Sequence, residues 1–418
     1  MNILIKSATI IDPNSDYNNT TQDILIENGV ITKIESNLSN PNNYEEITLE
    51  NLHISEGWFD SSVCFGEPGF EDRETIENGL KTAAYSGFTA VAMNANTNPV
   101  IDSNSDIIFT KSKASNHAVN LLPIGALTVG SKTVDLAELY DMHNAGAVAF
   151  YDYQKPISNP NLLKIALQYA SNFDGLVCSF PQENKISGNG VMHEHITSTR
   201  LGLKGNPALA EELQVARDLF LLEYTGGKLH IPTISTPKSV ALIREAKKKK
   251  LDVSCSVAIH NLALTDATLT EFNTHFKVLP PLRTKEDAEA LIEAVNDGTI
   301  DMVTSDHNPI DVEHKKVEFD HAAYGTIGLE SSFGALQSLF STEKAVEILT
   351  KGKSRFGVAP VSIKVGNKAN LSLFNPSTSY TFTKNNIVSK SKNAIFEDAN
   401  LKGKVYGIVA NNKIVLNS

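Results

Sequence analysis

The feature that most constrains this chain is an alternation between residues 74 and 304. Segments with a helical apolar period take turns there with short β-branched runs. Residues 74–86 read as a helix and 89–93 as a strand; 119–124 read as a strand, 136–144 as a helix and 147–150 as a strand. The pattern continues with helices at 162–170, 208–225, 239–250 and 285–296, and strands at 175–179, 228–232, 252–256 and 301–304. Strand-then-helix units at this spacing make successive strands parallel, because the chain must cross back before each new strand. In this number they predict an α/β fold, a (β/α)8 TIM-like barrel, over a doubly wound sheet.

Both ends of the chain read differently. Ile3-Leu4-Ile5, Ala8-Thr9-Ile10-Ile11, Asp23-Ile24-Leu25-Ile26 and Val30-Ile31-Thr32-Lys33-Ile34 are strand-like, with Asn28-Gly29 as a turn. Leu371-Ser372-Leu373-Phe374 and Lys404-Val405-Tyr406-Gly407-Ile408-Val409 are their counterparts near the other end. A small β-sandwich domain built from both termini is therefore expected. Its N-terminal part would be 1–54, the barrel 55–345, and a linker with the remaining sandwich strands 346–418.

Charge and cysteine content narrow the function class. Lys plus Arg is 37 against 48 Asp plus Glu, a net charge of -11, which disfavours nucleic acid as the main partner. The basic run Lys247-Lys248-Lys249-Lys250 reads as a solvated helix C-terminus. Three widely separated cysteines (Cys64, Cys178, Cys255) suit a reducing compartment. No apolar run approaches the roughly 18 residues of a membrane helix. The start, Met1-Asn2-Ile3-Leu4-Ile5-Lys6, turns polar too soon for a signal peptide, so a cytoplasmic protein without a membrane partner is expected.

Barrel chemistry sits at the C-terminal ends of the strands. Around those ends stand Glu67-Pro68-Gly69, Gly87-Phe88-Thr89, Asn96-Thr97-Asn98-Pro99 and Leu201-Gly202-Leu203-Lys204-Gly205-Asn206-Pro207. Ala216-Arg217-Asp218, Lys277-Val278-Leu279-Pro280-Pro281-Leu282-Arg283, Ser305-Asp306-His307, Tyr324-Gly325-Thr326-Ile327-Gly328-Leu329-Glu330 and Ser389-Lys390-Ser391-Lys392-Asn393 follow in order. Together they make the chain resemble a class I dihydroorotase of the amidohydrolase superfamily over nearly its whole length. The resemblance implies a metal-dependent barrel that reversibly hydrolyses a cyclic amide of pyrimidine biosynthesis. A metal-bound hydroxide would attack and an Asp would carry the proton.

The metal ligands that the resemblance implies do not carry over. A His-x-His pair on the first barrel strand is replaced by Ser62 and Cys64, and two further ligand positions hold Phe180 and Thr233. A substrate-clamping Arg is Gly66, a substrate-contacting His is Ile310, and an Asn is Leu279. The family's Asp-Asp-Gly is Asp152-Tyr153-Gln154, and His230 lies three residues before the ligand position of its strand. Asp306 matches the catalytic, metal-binding Asp, here read as vestigial. Asn96 and Gly325 remain from a substrate pocket.

Residue chemistry alone gives plainer readings. Asp306 would serve a local hydrogen bond and Cys64 would pack as a small hydrophobe. His193 and His195 would be surface-loop residues, and His260 and His307 structural. The leading expectation is a dihydroorotase-like pseudoenzyme without a cofactor. By the resemblance it would be a structural or regulatory partner of aspartate transcarbamoylase, and a homo-oligomer is expected. Two alternatives stand beside it. One is an active dihydroorotase or related cyclic amide hydrolase that holds zinc through unrecognised ligands. The other is a non-catalytic barrel that binds a metabolite.

Overall fold

A computed structural model describes residues 1–417. Eight parallel strands run β1 (Trp58–Val63), β2 (Phe88–Met93), β3 (Asn120–Gly125), β4 (Ala149–Phe150), β5 (Leu176–Cys178), β6 (Lys228–Ile231), β7 (Val253–Ala258) and β8 (Met302–Thr304). Each pairs with its sequence neighbour. Every residue of β1, β2 and β7 is buried, as expected where helices cover the outside and side chains fill the inside.

Asp60 closes the ring between β1 and β8. Its carboxylate accepts from the Thr304 hydroxyl and from the Ser305 backbone N–H at 2.8 Å, and Val63 bridges to His307. The barrel expected from the alternation is thus present.

The helices start where their caps dictate. Thr75, Asn159, Thr236 and Thr284 each accept a backbone N–H from the first turn that follows. The helices Ala208–Thr225 and Lys285–Asn296 have the bounds that their periodicity predicts. Three others, Asn104–Lys113, Leu329–Leu339 and Thr342–Lys351, add to the elements read from the sequence. Strand β4 is only two residues long.

The terminal strands form one continuous eight-stranded sheet. Ile3–Ile11 pairs with Thr21–Glu27, Glu45–Ile47 and His53–Glu56, and His53–Glu56 pairs with Leu371–Thr381 from the far end of the chain. Isoleucines and leucines such as Ile5, Ile24, Ile54 and Leu373 build its core. The hairpin after Thr21–Glu27 turns on Asn28 and Gly29, both at positive φ (52° and 75°), which an Asn-Gly pair adopts at little cost.

Trp58 couples sheet and barrel. Its ring stacks on Phe333 with centroids 4.7 Å apart and meets Phe374 at 5.4 Å, while its Nε1 donates to Ser55 Oγ at 2.8 Å. Among the described residues, no helix is long and apolar enough to cross a membrane.

Candidate functional site

Strand alternation aims Ser62 toward the barrel mouth, and β8 ends just before Asp306. The Ser62 hydroxyl donates to Asp306 Oδ1 at 3.1 Å, and the Tyr153 hydroxyl donates to the same oxygen at 3.2 Å. Asn94 extends the cluster by donating from Nδ2 to Ser62 Oγ at 3.0 Å, with the Cys64 sulfur at 3.8 Å. Asp306 sits at φ 48° and is buried.

Among the described residues, no cation pairs with this carboxyl. Burial pushes Asp306 up to about 7, against the lowering effect of Ser62 and Tyr153, and the nearby Asp60 charge adds to the rise. Burial, with Asp306 beside it, likewise raises the Cys64 thiol to about 12. At neutral pH the Cys64 thiol is protonated, which makes it a poor nucleophile.

Phe180 is buried in the same part of the barrel. It belongs to a buried cluster with Phe59, Cys64, Cys178, Tyr151, Tyr153 and Phe356. Thr233, at φ 48°, is tied to β7 through its backbone N–H, which donates to Ser256 Oγ at 3.2 Å. His230 also faces β7: its ring nitrogens lie 2.9 Å from Ser254 Oγ and 3.3 Å from Ser256 Oγ. Burial lowers His230 to about 3, so it is a neutral packed imidazole.

The remaining pocket residues divide. Asn96 is half-buried and its side chain reaches the Cys64 thiol. Gly325 acts through its backbone. Its N–H donates to the Lys277 carbonyl at 3.1 Å and its carbonyl accepts from Asn393 Nδ2 at 2.8 Å. With φ 138°, and with Asn308 atoms 2.8 Å from where a Cβ would stand, this position suits glycine.

Asp152 turns away from Asp306. It accepts from the N–H groups of Leu127 and Thr128 at 3.0 and 3.1 Å and from Ser131 Oγ at 3.0 Å, shaping the loop after β3.

One expectation needs correction. His193 is not a surface residue: it is buried, and its Nδ1 accepts from Arg283 at 2.9 Å. Burial and the Arg283 charge lower it to about 4. Arg283 also donates to Ser235 Oγ and to the Asn206 carbonyl, both at 3.0 Å, and lies 3.7 Å from the Glu211 carboxylate. His195 is partly exposed, 3.3 Å from Asp266. His307 and His260 are fully buried, and His307 Nδ1 accepts the Gly328 N–H at 3.2 Å.

Tyr153, Asn94 and Asp60 were not singled out by their own sequence signal. Tyr153 is visible in sequence only as a lost carboxylate, and its contact with Asp306 spans 153 positions.

The donor set can be weighed against the zinc that the family implies. A protein zinc site needs about three N, S or O ligands around one point. Among the described residues, no three His, Cys, Asp or Glu side chains converge in that way. At the mouth, one carboxyl is already engaged by two hydroxyls, one thiol is buried, and one ligand position is a phenyl ring. These residues do not fit the ion.

Solved structures of similar shape include L-hydantoinase (dihydropyrimidinase) from Arthrobacter aurescens, with a TM-score of 0.86 at 21% identity over 99% of this chain and 96% of that one. Dihydropyrimidinase from Brevibacillus agri gives 0.84 at 20% identity over 100% and 95%. The fold is therefore shared with these hydantoinase and dihydropyrimidinase barrels.

A family profile described as Dihydro-orotase-like matches residues 53–239. A protein named Dihydroorotase from Pelotomaculum thermopropionicum is 39% identical over 423 residues, covering 100% of this chain and 99% of its own. Another, from Acetivibrio thermocellus, is 38% identical over 422 residues, covering 99% of each. The chain belongs to the dihydroorotase family.

Proposed function

We propose that this member of the dihydroorotase family does not hydrolyse dihydroorotate. It would serve instead as a structural or regulatory partner of aspartate transcarbamoylase in pyrimidine synthesis. One observation carries the reading: Asp306 is engaged by Ser62 and Tyr153 in a mouth packed by Phe180, where a metal-activated hydroxide would need imidazoles and open space. Without a hydroxide source, an Asp has no nucleophile to deprotonate for attack on a cyclic amide. Asn96 and Gly325 are then remnants of a pocket rather than working parts. The transcarbamoylase partnership and a homo-oligomer rest on family resemblance.

A second reading, an active dihydroorotase, is favoured by the full-length identity to chains of that name. Metal analysis of protein purified without chelator, alongside a dihydroorotase assay, separates the two. The pseudoenzyme reading expects neither bound zinc nor ring opening. About one zinc per chain, lost together with activity, would overturn it. Ser62→His alone supplies one imidazole and should restore nothing. Ring opening by that single variant would show that the mouth is less altered than proposed.

The partnership has its own test. The two proteins are run together on a sizing column with light scattering at low micromolar concentration. A stable complex buries more than about 1,000 Å² and should co-elute. A monomer that never shifts removes the partnership and moves weight to a metabolite-binding barrel.

A further inference from the structure

Adjoining the mouth at Ile310 lies a cleft of about 610 Å³. Four parts of the chain meet there: Asp72, Thr274 with His275, the loop 310–316 after β8, and the segment 384–393 that returns from the terminal sheet. Five lysines line it: Lys315, Lys316, Lys384, Lys390 and Lys392. The facing acids are Asp72, Asp311 and Glu313.

The cleft is locally basic in an acidic chain: five lysines face three acids, whereas acidic residues outnumber basic ones 48 to 37 over the whole sequence. In the basic run, Lys247 pairs with Asp301, Lys248 with Glu245 and Lys249 with Glu223. In the cleft, Lys384 pairs with Glu397, but Lys315, Lys316, Lys390 and Lys392 have no carboxylate partner among the described residues.

Asp311 does not supply the missing charge. Arg73 Nε holds it at 3.0 Å and His314 at 2.6 Å, and hydrogen bonds from His314 keep it near 2 despite partial burial. Lys392 Nζ rests on the carbonyls of Ile387 and Ser389, at 2.9 and 2.8 Å, and Lys390 Nζ on that of Glu71. Both donors stand on flexible stems and can turn to a stronger acceptor.

Lys315 adds a second observation. Its ammonium is buried and held only by the carbonyls of Thr274 at 2.9 Å and Lys277 at 3.2 Å. Burial and the neighbouring Lys277 charge lower it to about 7. Burial disfavours its charged form, and an anion in the cleft would favour it.

We infer that this cleft is a binding site for a small, multiply charged phosphate ester of nucleotide size. Its volume falls within the roughly 300–1,000 Å³ of small-molecule sites. Lysines grip phosphate as point charges, whereas a planar carboxylate is better matched by an arginine fork. No arginine lines the cleft, and nearby Arg73 is committed to Asp311. Ile310 and Val312 supply an apolar wall for the ester's organic part. The inference is independent of whether the barrel mouth is catalytic.

Titration calorimetry of the full chain with inorganic tripolyphosphate and with ATP tests it. Binding is expected for both, falling as salt rises past about 0.15 M. The triple variant Lys316→Gln, Lys390→Gln, Lys392→Gln should weaken it about tenfold or more while leaving the circular-dichroism melt unchanged. Tighter binding of ATP than of tripolyphosphate would assign contacts to the organic part; equal binding would assign recognition to the phosphate chain. Lys248→Gln with Lys250→Gln, in the distant basic run, should leave binding intact. No heat with either anion at millimolar concentration overturns the proposal. So does equal weakening by the distant double variant, which would mean net charge and not a site.

Discussion

Two buried carboxylates, Glu211 and Asp306, stand in the same barrel under opposite conditions. Glu211 accepts from the backbone N–H of Ser235 at 2.9 Å and of Thr236 at 3.0 Å, from both their hydroxyls, and faces the Arg283 guanidinium. Asp306 has two hydroxyl donors on one oxygen and no cation. The first is a satisfied network joining the helix Ala208–Thr225 to the loops after β6 and β7. The second is a carboxyl whose partners suit its protonated state as well as its charged one. Burial alone therefore does not decide what an acidic side chain does; the donors that were brought in with it do.

The largest effect should come from breaking the satisfied network. Arg283→Met leaves Glu211 buried without its cation and His193 and Ser235 without a donor. We expect a loss of about 3–5 kcal/mol in chemical denaturation. A loss under about 1 kcal/mol would mean that the guanidinium contributes little and that Glu211 is no better compensated than Asp306.

Asp306 gives a pH-dependent counterpart. An unfolded Asp ionises near 3.8, whereas the folded one ionises at about 7. Between those values the folded chain keeps a proton that the unfolded chain has released, so this group's contribution to stability falls as pH rises through the window. The buried His193, His230 and His307, lowered to about 4, 3 and 4, act in the other direction, gaining stability as pH rises toward 6.5. The difference between wild type and Asp306→Asn isolates the carboxyl. The variant should gain relative stability from about pH 4 to pH 7, by a few kcal/mol at most. A flat difference would show an Asp306 that ionises normally.

Phe180→His exchanges an apolar ring for a polar one inside an aromatic cluster. It should cost about 1–3 kcal/mol in the thermal melt and should not be rescued by added zinc. Rescue by the metal would reveal ligands that the packed mouth conceals. Ser62→Ala should be the mildest change, about 0.5–1.5 kcal/mol, because it removes the donor to Asp306 while Asn94 Nδ2, which loses Ser62 Oγ, keeps the Val63 carbonyl at 3.4 Å. Because the Ser62 bond lowers Asp306, its removal should also extend the pH window upward. A window that moves down would break the assignment.

Much of the barrel was legible because helices such as Lys285–Asn296 combine a regular apolar period with a capping box at Thr284. The first barrel strand was not. Trp58–Val63 contains Asp60, Ser61 and Ser62, which read as polar although all six residues are buried. Asn104–Lys113 escaped for the converse reason: Ile108 and Phe109 are exposed and blur its apolar face.

At the site, motif frames located Ser62, Cys64, Phe180, Thr233 and Asp306. They could not show that Tyr153 reaches Asp306, nor that His193 sits under Arg283. Both contacts join residues 90 or more positions apart, and no local pattern encodes them.

The Asp60 clamp has a consequence in time. It joins positions 244 and 245 residues apart, and the terminal sheet pairs His53–Glu56 with Leu371–Thr381. Contacts this distant along the chain are slow to form, because loop closure must be endured before they are rewarded. At about 5–20 residues per second, the ribosome delivers Asp60 many seconds before its partners. During that interval β1 and the strand His53–Glu56 both have open edges, which is where a nascent chain is most exposed to wrong pairing. A ribosome stalled before residue 304 should therefore present a protease-sensitive chain, however well its early βα units have formed. Release past Leu371–Thr381 should bring resistance in one late step.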